Sequence, residues 1–186
     1  MHRVFQPRGY FEVPDGTEVS PFLNATDVYQ DDVPWDALGD LSIASGRIRP
    51  RVHSSVHMHP IVTQVTYVVA GSLTVRMKDA ETEEAYELSV QAGSAVVTRP
   101  GTLFQLLNDT DAVVDVLYIV SPSYVFEMEG GELKYDDALI VAATWEELVT
   151  ADYDVLALTI RPDEVRTRRA ESLGRLAKRK ATGGAS

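Results

Sequence analysis

A chain of 186 residues with 28 acidic and 17 basic side chains, a formal net charge of −11 and no cysteine reads as one acidic domain with room for a short appendage. That charge has the wrong sign for coating nucleic-acid phosphates, and the missing thiols exclude disulfides, thiolate metal sites and cysteine nucleophiles. Apolar residues at 45% exclude wholesale disorder, no apolar run nears the ~20 residues of a membrane span, and Met1–Pro7 has no signal-like stretch, so a cytoplasmic protein engaging neither membrane nor nucleic acid is expected.

Residues 1–40 carry short apolar fragments, Tyr10-Phe11 and Pro21-Phe22-Leu23, among many turn formers. They are expected to form an arm and edge strands. Over 41–143 the apolar period is short. Leu73, Val75 and Met77 alternate with Thr74, Arg76 and Lys78, while Ala95–Thr98 and Val113–Val120 are rich in β-branched residues. Turn formers separate these runs at Ala70-Gly71-Ser72, Gln91-Ala92-Gly93, Arg99-Pro100-Gly101, Asn108–Asp111 and Gly130-Gly131. Short strands at intervals of roughly ten residues point to an all-β sandwich or barrel. Thr144 with Glu147 three residues on has capping-box spacing and opens the C-terminal helices expected over 144–180. Residues 181–186 read as a frayed, disordered tail.

Charge divides the chain unevenly. Residues 1–160 hold 9 basic and 25 acidic side chains, whereas 161–186 hold 8 and 3. The break falls at Arg161-Pro162, where a helix is expected to start. Asp163 and Glu164 suit its positive N-terminal end, and Arg175, Lys178, Arg179 and Lys180 its negative C-terminal end. Val165, Leu173 and Leu176 are expected to share its buried face, against the cost of Gly174. A basic helix packed on its own acidic body is the first expectation, and one docking a partner or nucleic acid the second.

Three of the four histidines, His53, His57 and His59, fall within seven residues. Alternate residues of a strand face one way, so His57 and His59 would present imidazoles on one face with α-carbons about 7 Å apart, close enough to converge on one metal ion. His53 shares their parity but would sit about 13 Å from His57 in a straight strand. It could join only if Ser54-Ser55 bends the chain. Arg47, Arg49 and Arg51 continue the same parity. They are expected either on a solvent-facing side or lining a polar cavity for an anionic substrate, and Pro50 makes one uninterrupted strand doubtful.

The segment His57-Met58-His59-Pro60-Ile61-Val62-Thr63-Gln64 followed, after six residues, by Gly71 resembles the first motif of the cupin superfamily: His-x-His, a Glu, then a Gly. Gln64 stands where the family usually has Glu. Gly93, Pro100-Gly101 and Asn108 resemble the second motif, with Phe104 in place of its histidine. The resemblance covers roughly residues 40–122 and implies a double-stranded β-helix, or jelly-roll barrel, with the motif-one side chains pointing inward.

What the resemblance implies for chemistry is one divalent transition metal ion, Fe, Zn, Ni or Mn, held in typical members by three His and one Glu. Here the ligands expected are His57, His59 and Gln64. Gln64 brings no negative charge, so the site would hold a divalent ion more weakly. Either His53 swinging in or Gln105 turning inward would replace the missing imidazole at Phe104. Such a site would serve a metal-dependent dioxygenase or other oxidoreductase first, and a Lewis-acid cyclase, lyase or isomerase second. A metal-free histidine pair for acid–base work and a non-catalytic ligand-binding cupin are the further alternatives. Arg49, Arg51, Thr66 and Tyr67 are the remaining cavity candidates, the substrate is expected to be small and anionic or enolisable, and a homodimer is expected.

Overall fold

The structure is a computed structural model that describes residues 4–7, 9–24, 40–79, 84–130, 132–150 and 162–182. Within these the short-period apolar runs become strands β1 (Phe11–Glu12), β2 (Glu18–Asn24), β3 (Ser42–Ile48), β4 (Val56–Met58), β5 (Thr63–Ala70), β6 (Ser72–Lys78), β7 (Tyr86–Gln91), β8 (Ala95–Thr98), β9 (Leu103–Leu107), β10 (Val114–Ser121), β11 (Phe126–Glu129), β12 (Glu132–Asp136) and β13 (Leu139–Ala142). Helices α1 (Trp145–Thr150) and α2 (Pro162–Ala181) follow. The expected tail residues 183–186, the Gly131 half of the Gly130-Gly131 turn, and Arg161 at the charge break lie outside the described residues. No described helix is long and apolar enough to cross a membrane.

One antiparallel sheet runs β1-β2-β3-β10-β5-β8 and a second β13-β4-β9-β6-β7, with β11-β12 a separate hairpin. Strands adjacent in space come from distant parts of the chain, as in the expected jelly-roll barrel. The two sheets face each other across Ile48, Val62, Val68, Leu73, Val75, Phe104, Leu106, Val114, Val116 and Val120, all nearly or wholly removed from water. Alternation supplies this inner face: along β10, Val114, Val116, Tyr118 and Val120 are buried and the residues between them are half-exposed.

The five-stranded sheet is also covered outside. Val56, Met58 and Leu103 pack there against Trp145 and Leu148 of α1, so β4 is buried on both faces. Thr144 caps α1 through a 3.2 Å bond from the Glu147 N–H, and Glu147 in turn accepts the Ala143 N–H at 2.9 Å.

Helix α2 docks on the acidic body as first expected, and through two of the three residues expected to face it, Val165 and Leu176. Its buried positions are Val165, Arg169, Ser172 and Leu176, while Leu173 is half-exposed. Half of this face is polar because its partners are. Arg169 pairs with fully buried Asp137 and donates to the Ser123 carbonyl, and Arg175 and Arg179 reach Glu127, also fully buried, at 3.0 and 3.3 Å. The Arg175 hydrogen bonds hold the Glu127 carboxyl below the usual carboxylate range.

Asn108, the motif-two asparagine, is a structural pin. Its buried amide donates to the carbonyls of Ile48, Arg49 and Ala112 at 2.8–3.0 Å, and its oxygen accepts from the N–H and hydroxyl of Thr110.

A candidate binding cavity in the barrel

Strand pairing fixes which side chains meet inside. His57 of β4 lies directly opposite Phe104 of β9, and Gln64 of β5 lies opposite Val120 of β10 and Thr98 of β8. Residues opposite each other share a face, so His57, Phe104 and Gln64 all point inward. His59 joins them one residue past β4. The rings of His57 and His59 stand edge-to-face at 5.7 Å, and the Phe104 ring lies 4.0 Å from the first and 5.4 Å from the second. The cavity beside them has a volume of about 120 Å³, and its wall is mostly apolar. Its polar groups include His57, His59, Gln64, Tyr118, Asp15 and Asp136.

Two of these come from places where nothing suggested function. Asp15 belongs to the turn Pro14-Asp15-Gly16-Thr17 between β1 and β2. Gly16 takes φ 88°, open to glycine without strain. Asp15 Oδ1 accepts from the Thr17 N–H at 2.9 Å and the Thr17 hydroxyl at 2.8 Å. Its other oxygen, Oδ2, therefore faces His57 Nε2 at 3.8 Å, and the Asp15 carbonyl accepts the Ser55 N–H, tying the turn to the histidine segment. His57 Nδ1 donates to the Ser55 carbonyl at 2.8 Å. In the neutral ring that leaves Nε2 as a lone pair beside the carboxylate. Asp136 ends β12. Burial, with Asp137 and Asp15 nearby, pushes its carboxyl up to about 7 against the opposing Ala138 N–H. The only sequence signals were the Pro-Asp-Gly turn signature and an acidic doublet at a strand end.

Two buried atoms of the wall have no hydrogen-bond partner, His59 Nδ1 and the Tyr118 hydroxyl. Burial, reinforced by His57, takes His59 down to about 3 against a hydrogen bond with the Asp137 backbone. Burial and the Asp15 charge push the Tyr118 phenol up; nearby Thr17 offsets this only in part, without a well-aligned bond. Tyr118 needs Gly46 beside it, since a Cβ there would lie 2.3 Å from the ring.

The other expected site residues are elsewhere. His53 is outside the barrel, bonded to Asp109 at 2.7 Å. Arg49 and Arg51 are exposed and paired with Glu12 and Asp111 at 3.1 and 2.8 Å. The reason is a turn: Val52 donates to the Arg49 carbonyl, Arg51 takes φ 59°, and the chain crosses from one sheet to the other, so the odd-numbered face does not continue. Tyr67 stands on the outer face of β5, opposite Leu117 and Ala95. Thr66 is buried on the inner face and takes a bond from the Gln64 amide at 3.1 Å. Gln105 points away from the cavity, on the other side of β9 from Phe104, and donates to the Ser54 carbonyl at 2.6 Å. No lysine or arginine lines the cavity among the described residues, which removes the basic face expected to receive an anionic substrate.

These donors do not fit a cupin metal centre. Neither proposed replacement reaches the site, an apolar ring fills the space beside His57, and the usual carboxylate is an amide. Among the described residues no three His, Asp or Glu side chains gather to hold an ion.

No curated protein has a sequence that matches this chain. Solved structures of similar fold include an oxalate decarboxylase of Lactobacillus farciminis, in complex with formate (TM-score 0.53, 17% identity, 85% of this chain and 40% of that one). Others are Peruvianin-I, a cysteine peptidase from Thevetia peruviana latex (0.53, 14%, 75% and 74%), and CapF with the inhibitor 3-isopropenyl-tropolone (0.52, 15%, 72% and 34%). At these identities the likeness is one of fold. The cupin sequence model matches residues 13–126, and with motif one lining the barrel of a jelly roll, the chain belongs to the cupin family.

Proposed function

We propose that this cupin takes a small, largely apolar, enolisable carbonyl compound into its barrel and moves a proton on it with His57 and Asp15, without a resident metal. The observation that carries this is the 3.8 Å approach of Asp15 Oδ2 to His57 Nε2 at the wall of a mostly apolar cavity. The Ser55 carbonyl fixes the ring's tautomer, so Nε2 is the basic atom. When Nε2 takes a proton from carbon next to a carbonyl, the imidazolium formed stands beside a carboxylate held in place by Thr17. The electron pair left on carbon moves onto the carbonyl oxygen as an enolate. Asp136, protonated in part near neutrality, is a proton donor in the same cavity. Return of the proton to another position or face gives isomerisation or epimerisation. A dioxygenase or a Lewis-acid lyase would need a donor set that these residues do not assemble.

The test is hydrogen–deuterium exchange next to the carbonyl of small ketones in D2O, followed by NMR with metal-free protein. Wild type is expected to accelerate exchange, His57→Gln to lose about 100-fold or more of that rate, and Asp15→Asn about 10-fold. A stoichiometric divalent metal that survives dialysis and is lost from His57→Ala and His59→Ala would overturn the proposal.

A further inference from the structure

The cavity contains an unmet demand for hydrogen bonds that the proton-transfer pair does not explain. His59 Nδ1 and the Tyr118 hydroxyl are both buried, both belong to residues lining the cavity, and neither has a partner. An unpaired buried polar atom is costly, and two in one apolar cavity mark where a ligand's polar atoms belong. The chemistry of the wall narrows the ligand. A ring nitrogen donates or accepts according to its tautomer, and a phenol does both. A hydroxyl or a carbonyl can satisfy the phenol, and a hydroxyl satisfies either form of the ring. A carboxylate could only accept, and it would enter a space with two aspartates and, among the described residues, no lysine or arginine. The volume, about 120 Å³, is near that of an engineered apolar cavity of about 150 Å³ that takes up benzene.

We infer that the ligand is an uncharged hydroxy ketone about the size of one substituted ring, with its two oxygens on Tyr118 and His59, and that carboxylates are rejected. This rests on the proposed function only in sharing its cavity and its carbonyl group. Being a statement about binding, it is tested without turnover.

The probes are phenacyl alcohol, an α-hydroxy ketone; acetophenone, which lacks the hydroxyl; and phenylglyoxylate, which carries a carboxylate instead. Calorimetry or ligand-observed NMR on the full chain measures all three. Phenacyl alcohol is expected to bind about 10-fold tighter than acetophenone, and phenylglyoxylate at least 10-fold weaker than phenacyl alcohol. His59→Phe should erase most of the advantage of the hydroxy ketone while leaving acetophenone unchanged, which also shows that the variant keeps the cavity, and Tyr118→Phe, which removes the partner of the shared carbonyl, should weaken both ketones. Equal or tighter binding of phenylglyoxylate, an advantage that survives His59→Phe, ketone binding untouched by Tyr118→Phe, or no binding of phenacyl alcohol by wild type overturns the inference. Exchange of the phenacyl alcohol methylene protons in D2O reports the proton-transfer step separately, so that step can fail while the binding preference stands.

Discussion

Arg47, Arg49, Arg51 and His53 share a sequence parity with His57 and His59, yet the two groups have opposite fates. The first four stand on the surface, each against its own acid: Asp115, Glu12, Asp111 and Asp109. The last two are at least 96% buried and face a mostly apolar cavity whose wall includes Asp15 and Asp136. Residue type does not decide this. The turn at 49–52 moves the chain from the six-stranded to the five-stranded sheet, and on the new sheet the same parity points inward. Surface pairs of the first kind contribute about 0–1 kcal/mol each. The buried group is desolvated and short of partners, which is what a binding site needs.

The largest effect should come from restoring what the buried group lacks. Phe104→His with Gln64→Glu puts a third imidazole directly across from His57 and returns the carboxylate. Zinc or manganese(II) affinity by calorimetry should rise at least about 100-fold. An unchanged affinity would mean that the space filled by Phe104 is not the missing ligand position. Gly46→Ala comes next. Its methyl would collide with the Tyr118 ring, and overpacking of this kind costs about 1–3 kcal/mol; a melt showing no loss would mean that the ring has room to move.

The third prediction concerns pH. His59 is lowered from 6.5 to about 3, so the unfolded chain binds the extra proton and stability falls as pH drops from 6.5 toward 3. Asp136 is raised from 3.8 to about 7, so the folded chain keeps the proton and stability falls as pH climbs from 3.8 toward 7. Over the shared window the two slopes oppose each other, each about 1.4 kcal/mol per pH unit at most. Urea melts at several pH values should show His59→Phe losing stability as pH rises, and Asp136→Asn losing it as pH falls. Parallel curves for the two variants would refute the opposition. The smallest effect belongs to the outer group: Arg49→Ala and Arg51→Ala should each change stability by less than about 0.5 kcal/mol and leave ketone binding untouched.

Much of the barrel was legible because alternation is a local signal. Val75, Met77, Val114 and Val116 declare their buried side in the sequence, and the spacing from His57 to Gly71 names the family. The shared face of His57 and His59 followed from parity, and the inward direction of Gln64 from the resemblance to the first cupin motif. For Arg49 and Arg51 the solvent-facing alternative holds, and the cavity alternative, like the one that brings in His53, came from extending parity through the turn at 49–52, which follows the end of β3 at Ile48. Asp15 and Asp136 were invisible for another reason: each joins the cavity through tertiary packing of a turn or a strand end, which no local pattern encodes. The docking of α2 was visible as a charge break, but its partners Asp137 and Glu127 could not be told from other acids until burial singled them out.

The order of strands also sets a timetable for synthesis. Within the six-stranded sheet β3 finds β2 early, yet its other edge waits for β10, since Ile48 pairs with Val114 and Ser42 with Val120. A chain leaving the ribosome therefore carries β3 and β5 with unmatched edges until residue 121 has emerged, an interval in which open strands invite wrong partners. The cavity matures later still. Asp136, Ala138 and Ile140 belong to its wall, and Asp137, which anchors that stretch, meets Arg169 only when α2 has been made. The wall of the cavity is thus complete only after α2 has emerged.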